Sequence, residues 1–248
     1  MSGHSKWNNI KRKKEKTDAQ RAKIFTKIGR EIAVAVRSGG ANPEANGKLR
    51  DLVAKAKANN IPNDNIDRII KKAAGGDGKE EYESIVYEGY GIGGVAVIVE
   101  ALTDNRNRTA GDVRHYFDKF GGNLGTSGCV SFLFEKKGVI TMDSEGVNEE
   151  QLMDDCFEAG AEDYTFDQED GVEILTDPYT LHDVREALEQ KGYEMTSADV
   201  DYLPSTTVML TDEDQRKKMN LLLEHLEDND DVQGVWHNWE NPDEEEED

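Results

Sequence analysis

The chain has 248 residues, of which 33% are charged and 36% hydrophobic, and its formal net charge at pH 7 is −22. This length accommodates two or three domains with cores of ordinary size. The sequence has no run of about 18 apolar residues and no apolar stretch typical of a secretory leader, so we expect neither a membrane segment nor export. The two cysteines, Cys129 and Cys156, are too few for a disulfide framework or a structural zinc site, which favours a reducing cytoplasm.

The charge is divided unevenly along the chain. Residues 1–75 hold 18 Lys and Arg against 7 Asp and Glu, a net charge of +11, whereas residues 76–248 hold 12 against 45, a net charge of −33. A cationic segment attached to an anionic remainder indicates a polyanionic partner for the N-terminal third.

The basic third begins with residues 1–16, which have little apolar periodicity. The run from Lys11 to Lys14 is either an arm that contacts a polyanion or a solubilising tail. A helix is predicted next, from Thr17 to Arg37, with a capping-box pattern at its start and Ser38-Gly39-Gly40 at its end. Its apolar side holds Phe25, Ile28, Ile32, Ala35 and Val36, and its basic side holds Lys23, Lys27, Arg30 and Arg37.

Two further helices complete a predicted three-helix domain. The second should begin at Asn42-Pro43, because a capping residue precedes a proline there, and should bury Ala45, Leu49, Leu52, Val53 and Ala56. The third should begin near Pro62 and end with Lys71-Lys72. No helix is rich in the Asn, Gln and Arg that read base edges, so phosphate contact is better supported than base recognition.

The next segment has strand and helix patterns. Strands are predicted at 84–89, 95–102 and 130–134, with a helix at 107–120. Gly89, Gly91 and Gly94 match the spacing of a dinucleotide-binding loop. That interpretation is rejected, because the motif requires a helix immediately afterwards and the next residues predict a strand; a glycine hairpin fits better.

The residues that join the second of these strands to the helix include Arg106 and Arg108. Two guanidinium groups beside the free N–H groups of a helix start would suit a phosphate. The alternative, which we weigh equally, is that Asp104 or Asn107 caps the helix and both arginines are solvated.

The C-terminal half predicts a β-α-β-β-α-β unit between residues 136 and 205, which is a ferredoxin-like pattern. A strand at 206–210, a helix at 212–226 and a strand at 232–237 follow. Added to the strands and helix of residues 95–134, they would complete a second such set, so we expect one domain to be inserted in the other. Residues 241–248 form an acidic tail, which we expect to be disordered and which could fold back on the basic third.

Seven long sequence segments, quoted below in chain order, are similar to segments of the YebC/PmpR family. The mitochondrial relative in that family is a translational activator of cytochrome oxidase. The match is dense over about the first 140 residues. It departs from the family pattern at Ile92, in a turn that often holds proline, and at Cys129, which replaces a usual serine. The words are GHSKW, RAKIFTKI, GGANPEANGKLR, KANNIPNDNIDRIIKKA, VYEGYGIGG, TDNRNRTAGDVRHYF and GGNLGTSGCVSFLFEKKG.

The resemblance implies an α-helical N-terminal domain followed by two α/β domains, and a role either as a DNA-binding transcriptional regulator or as a ribosome-associated factor that assists translation. Together with the residue patterns, it gives an α+β fold of three domains: a basic three-helix domain (1–76), a discontinuous α/β domain (80–135 and 206–240) and an inserted ferredoxin-like domain (136–205).

The favoured interpretation is a cytoplasmic, non-enzymatic, DNA-binding transcriptional regulatory protein, and the alternative is an RNA-binding translation factor that contacts ribosomal RNA. No cofactor, metal or small-molecule substrate is indicated, and the oligomeric state stays open. An acidic-domain enzyme or ligand-binding module would need a concave polar pocket with convergent titratable groups. The predicted nucleic-acid contacts are Lys6, Lys11, Arg12, Lys13, Lys14, Arg21, Lys23, Lys27, Arg30, Arg37, Arg106 and Arg108.

Overall fold

The protein is described by a computed structural model that covers residues 18–75, 81–168 and 171–240. The predicted N-terminal arm and acidic tail lie outside these residues. The described chain divides into two compact units, residues 134–203 and residues 18–133 with 204–240. An α+β fold with an N-terminal helical region and two four-stranded antiparallel sheets confirms the predicted fold class.

The elements define three regions. The helical region, residues 18–75, contains α1 (Asp18–Gly39), α2 (Gly47–Ala58) and α3 (Asn63–Ala74). The first α/β region comprises residues 81–133 and 204–240, and the second comprises residues 134–203. Their elements in chain order are β1 (Glu83–Tyr90), β2 (Ala96–Thr103), α4 (Arg106–Lys119), β3 (Asn123–Leu124), β4 (Phe134–Met142), α5 (Glu149–Ala159), β5 (Asp163–Asp167), β6 (Gly171–Thr176), α6 (Leu181–Gln190), β7 (Ser197–Pro204), α7 (Glu213–Asp228) and β8 (Val232–His237).

The helical region has its own core. The apolar side of α1 packs against both following helices, as the period of its apolar residues predicted. The buried residues include Ile28, Ile32, Ala35 and Val36 of α1 with Leu49, Leu52, Ala56 and Ile66.

The start of α2 differs from the prediction. The helix begins at Gly47, and its N-cap is Asn46, whose side-chain oxygen accepts a hydrogen bond from Leu49 N at 3.1 Å. The Asn46 amide nitrogen also donates to Ala35 O and to Gly40 O, each at 2.9 Å. Asn46 is therefore buried as a bridge between the end of α1 and the start of α2, whereas Ala45, predicted to be buried, is exposed.

The first α/β region contains a sheet with the strand order β3-β1-β2-β8, in which all neighbouring strands are antiparallel. A short 3-10 turn, Ile92–Gly94, joins β1 to β2, and Gly93 has a φ of 69° there, a conformation that glycine tolerates. The glycine-rich motif is thus a hairpin. Helices α4 and α7 supply the buried partners of the sheet, among them Val113, Phe117, Met219, Leu222 and Leu226.

Two strands predicted in this region are not part of the sheet. At residues 130–134 the chain forms a 3-10 turn (Ser131–Leu133) and then enters β4, because the buried Glu88 carboxylate accepts the N–H groups of Gly128, Val130 and Ser131 at 2.7–2.9 Å. Those donors are not available to a ladder. Residues 206–210 contribute a single bridge, between Val208 and Trp239. The order here is consequently not a second β-α-β-β-α-β set; β1 and the short β3 take the places of the missing strands.

The second α/β region has the predicted β-α-β-β-α-β order. Its strands lie in the order β5-β6-β4-β7, which is the ferredoxin-like arrangement. The core between the sheet and α5 and α6 contains Ile140, Leu152, Cys156, Ile174 and Leu188.

Candidate nucleic-acid interface

Half of the predicted contact residues cannot be placed by side chain. Lys6, Lys11, Arg12, Lys13 and Lys14 lie outside the described residues, and Arg21 belongs to α1 but its side chain is not described. The structure places the side chains of the other six, which are Lys23, Lys27, Arg30, Arg37, Arg106 and Arg108.

The cations Lys23, Lys27 and Arg30, here called the α1 basic face, contact another part of the same unit. Lys23 Nζ lies 2.6 Å from Asp228 Oδ1, and Lys27 Nζ donates to the backbone oxygen of Glu227 at 2.7 Å. Their partners belong to residues 227–231, which are the last two residues of α7 and the connection to β8, and are here called the acidic turn. Burial lowers the pKa of Lys27 below its usual value, and the attraction of Glu227 and Asp230 offsets that effect only in part.

Arg30 makes the deepest of these contacts. Its NH1 group donates to Asp231 Oδ1 at 2.6 Å and to the backbone oxygen of Asp230 at 2.7 Å, and its guanidinium carbon lies 5.6 Å from the centre of the Tyr82 ring. The Arg30 side chain is 19% exposed and that of Asp231 is 5% exposed. This ion pair connects the helical region to the residue that precedes β8, an edge strand of the sheet.

Asp231 also binds the second predicted cationic group. Its Oδ2 atom accepts from Arg108 NH2 at 2.7 Å and from the hydroxyl of Thr109 at 2.7 Å. Burial by itself would raise the pKa of Asp231, but the hydrogen bonds from Arg108, Thr109 and Arg30 outweigh it, so the pKa lies below its usual value. One ionised carboxylate is thus shared by arginines from α1 and α4.

The start of α4 is capped by neither residue that the sequence suggested. Asn105 is the N-cap, and its side-chain oxygen accepts from Arg108 N at 3.1 Å. Arg108 is balanced by Asp231 and by Asp104, 2.9 Å away, which raise its pKa. Arg106 points outward with 69% of its side chain exposed and approaches Glu83 at 3.8 Å. Of Arg106 and Arg108, only Arg106 is therefore positioned to bind an external anion.

A group of exposed cations of the helical region lies on α3. Arg68, Lys71 and Lys72 are exposed, and none of them has an ion pair with another described residue. Their i, i+3, i+4 spacing places them on one face of the helix, a signal that was readable in the sequence but was not used. Exposed Lys48 and Lys57 lie on α2, and Arg37, also exposed, lies in the last turn of α1.

The second α/β region contains an open polar groove of about 790 Å³ near the start of α5. Its buried carboxylate, Asp155, accepts from Lys191 Nζ and from the Tyr193 hydroxyl, each at 2.7 Å, and these two donors lower its pKa. Asp155 is therefore ionised and already neutralised.

Within the described ranges, no group of three or more His, Cys, Asp or Glu residues could hold a metal ion. In the same ranges, every helix is too short or too polar to cross a bilayer.

Comparisons with known proteins agree with this architecture of a cationic helical region joined to two α/β regions. The family model described as the TACO1/YebC protein N-terminal domain matches residues 5–76, and the one described as the TACO1/YebC second and third domain matches residues 82–239. The chain belongs to the TACO1/YebC family, as its sequence words predicted.

Relatives match along nearly the whole chain. A probable transcriptional regulatory protein of Ruminiclostridium cellulolyticum is 62% identical over 249 residues, covering 100% of both chains. A protein of the same description from Acetivibrio thermocellus is also 62% identical, over 96% of this chain and 99% of its own. The crystal structure of a conserved hypothetical protein from Aquifex aeolicus is similar with a TM-score of 0.83 and 49% identity, over 96% of this chain and 98% of that one.

Proposed function

We propose that this chain is a cytoplasmic, DNA-binding transcriptional regulatory protein that acts without catalysis, through contacts with the phosphate backbone. The observation that carries the proposal is the exposed cationic face of α3, formed by Arg68, Lys71 and Lys72, in a region of opposite charge to the rest of the chain. Residues 18–75 hold 12 Lys and Arg against 6 Asp and Glu, a net charge of +6. The names of the bacterial relatives support the regulatory role.

Backbone contact fits this surface better than base reading. Lysine and arginine bind phosphate as charges or as hydrogen-bond donors without sequence information, whereas base recognition needs side chains that reach the groove edges. The exposed polar residues at the start of α3 are Asn63 and Asp64, and the positive charge lies at its C-terminal end. Arg37, Lys48, Lys57 and Arg106 extend the proposed contact surface, together with the predicted cations that lie outside the described residues.

The experiment neutralises the α3 face. The variant Arg68→Gln/Lys71→Gln/Lys72→Gln should bind duplex DNA about tenfold or more weakly at about 50 mM salt, and the slope of log affinity against log salt should become less steep by about 2.7. The wild-type slope should be near −5 if about six phosphates are neutralised. Fluorescence anisotropy with a labelled duplex measures both quantities.

The control removes the same charge from the first α/β region, where Arg114, Arg216 and Lys217 are exposed. Arg114→Gln/Arg216→Gln/Lys217→Gln should bind DNA with the wild-type slope. Equal losses in both triple variants would show that only net charge matters, and unchanged binding in the α3 variant would contradict the proposed surface.

Ribosomal RNA is the alternative partner, because the same cations would bind an RNA backbone by shape and charge. Co-sedimentation with ribosomes, compared with footprinting on promoter DNA, distinguishes the two. A protein that sediments with ribosomes in an α3-dependent manner and leaves promoter DNA unprotected would replace the transcriptional role with a translational one.

A further inference from the structure

The acidic turn covers cations of the type that bind nucleic acid. It places a carboxylate oxygen of Asp228 on Lys23, a backbone oxygen of residue 227 on Lys27, and a carboxylate oxygen of Asp231 on Arg30, at 2.6–2.7 Å. Each oxygen occupies the position that a phosphate oxygen would take in a charge-assisted hydrogen bond.

We propose that the acidic turn is an intramolecular substitute for a nucleic-acid backbone, and that it covers a second polynucleotide-binding surface, the α1 basic face. The inference rests on the proposed function and adds a regulatory device to it. When α1 separates from the acidic turn, Lys23 and Lys27 become available to phosphates and the protein binds nucleic acid more tightly. While the turn is in place, nucleic acid contacts the helical region through the α3 face.

The dimensions of the α1 basic face suit the replacement of the acidic turn by a nucleic-acid backbone. Lys23, Lys27 and Arg30 are spaced i, i+4, i+7, so they follow one side of α1 over about 10 Å. Successive phosphates of one B-DNA strand are separated by about 3.4 Å along the helix axis and also turn around it, so a straight row of cations about 10 Å long can contact more than one of them. A regular row of cations matches a polynucleotide strand as well as it matches the turn.

The contacts between the α1 basic face and the acidic turn differ in their exposure to solvent, and this difference indicates which of them can be broken first. Asp228 is 63% exposed at its side chain and Lys23 is 34% exposed, and an ion pair so accessible to solvent contributes little to stability. The side chain of Asp231, by contrast, is 5% exposed and also accepts hydrogen bonds from Arg108 and Thr109. The hydrogen bond from Lys27 to the backbone oxygen of Glu227 is also accessible to solvent, although the rest of the Lys27 side chain is partly buried. The contacts of Lys23 and Lys27 can therefore be replaced by phosphate while the buried Asp231 stays bound to Arg108.

The test weakens only the outer part of the turn. Asp228→Asn/Asp230→Asn removes the carboxylate that binds Lys23 and a second that attracts Lys27, and leaves Asp231 in place. The matched control, Asp112→Asn/Asp118→Asn, changes the net charge equally at two α4 residues that take part in none of these contacts.

We expect the turn variant to bind a labelled DNA duplex about fivefold to tenfold more tightly than wild type at about 50 mM salt. The slope of its log affinity against log salt should be steeper by the amount that one to two additional phosphate contacts produce, about 0.9 to 1.8. The control should gain about twofold or less. Adding Lys23→Gln/Lys27→Gln to the turn variant should abolish the gain. Hydrogen exchange of peptides that cover residues 22–31 should be faster in the turn variant than in the control, because the turn no longer holds α1.

The outcomes separate the two proposals. Equal tightening in the turn and control variants, or a gain that survives the loss of Lys23 and Lys27, would overturn the covered-surface inference and leave the α3 surface intact. Unchanged affinity in the turn variant, with wild type and control binding normally, would do the same. If none of the proteins binds the duplex or a ribosomal RNA hairpin, the proposed function itself fails, and the covered surface fails with it.

Discussion

Asp231 connects residues that are far apart in the chain. Its carboxylate accepts hydrogen bonds from Arg30, Arg108 and Thr109, and the hydroxyl of Thr103 lies 3.3 Å from it. A carboxylate buried to this degree is stable as an ion only because cationic donors surround it. The sequence offered many Asp residues with no local sign that this one differs from its neighbour Asp230.

We predict that Asp231→Asn lowers the free energy of unfolding by about 3 kcal/mol at pH 7, because it leaves Arg30 partly buried without its counter-charge. Urea unfolding measures the change. Asp230→Asn is the control and should cost about 0.5 kcal/mol or less, since its contact with Arg30 uses the backbone oxygen and its side chain is at the surface.

The cost of Asp231→Asn should depend on pH. Because the folded-state pKa of Asp231 is lowered, its ionised form stabilises the protein above the unfolded-state pKa of about 4, and that contribution is lost as the pH falls through the folded-state value. The difference between wild type and variant should therefore shrink as the pH falls below about 4. A difference that is constant over this range would contradict the assignment of an ionised Asp231.

At the scale of elements, the apolar periodicity predicted most helices and strands, and the errors lie where local signals compete. Asn42 precedes a proline and looks like an N-cap, yet its side-chain oxygen accepts from Glu44 N within a turn. Asn46 is the actual cap because its side chain also donates hydrogen bonds to Ala35 O and Gly40 O. Those two oxygens lie within its reach only because the end of α1 packs beside the start of α2. Which of two capping residues is used was decided by packing.

We predict that Asn46→Ala destabilises the protein by about 2 kcal/mol, because it removes a cap and the two hydrogen bonds that the buried Asn46 amide donates to Ala35 O and Gly40 O. Asn42→Ala should cost about 0.5 kcal/mol or less. Thermal or urea unfolding of both variants makes the comparison. Equal costs would mean that the cap at Asn46 contributes no more than an exposed turn.

The missed elements have a related cause. Strand β3 has only two residues, so no alternation could reveal it. Residues 130–134 have strand-like composition, but Val130 and Ser131 donate their N–H groups to Glu88. A buried glutamate on β1 that organises a loop about 40 residues later has no signature in a single sequence. Conversely, the β-α-β-β-α-β pattern of residues 134–203 was predictable, since each of its elements carries its own apolar period.

For the whole molecule, the two compact units have separate cores. We predict that residues 134–203 expressed alone unfold cooperatively, because Ile140, Leu152, Ile174 and Leu188 are completely buried within that segment. The thiol of Cys156 provides the measurement: it is buried, and burial raises its pKa to about 11, so it should react with a thiol reagent only when the unit opens.

The reaction rate of Cys156 in the fragment should rise with urea at the same midpoint as the loss of circular dichroism. Leu152→Ala should lower that midpoint, since removing a buried leucine costs about 2 to 5 kcal/mol. Immediate labelling of the unmodified fragment in buffer would show that the unit needs the rest of the chain to fold.

The sequence by itself determined the α+β class, the positions of most elements and the family, because apolar period, capping residues and long sequence words are all local features. It also determined the separation of charge between residues 1–75 and the remainder. The tertiary structure decided what those charges do. Lys23, Lys27 and Arg30 have the spacing of an external binding surface, yet they contact residues 227–231, about 200 positions later in the chain. Whether a cation faces solvent or a carboxylate depends on which distant segment packs beside it, and that is fixed by the pairing of β2 with β8 and the packing of α7.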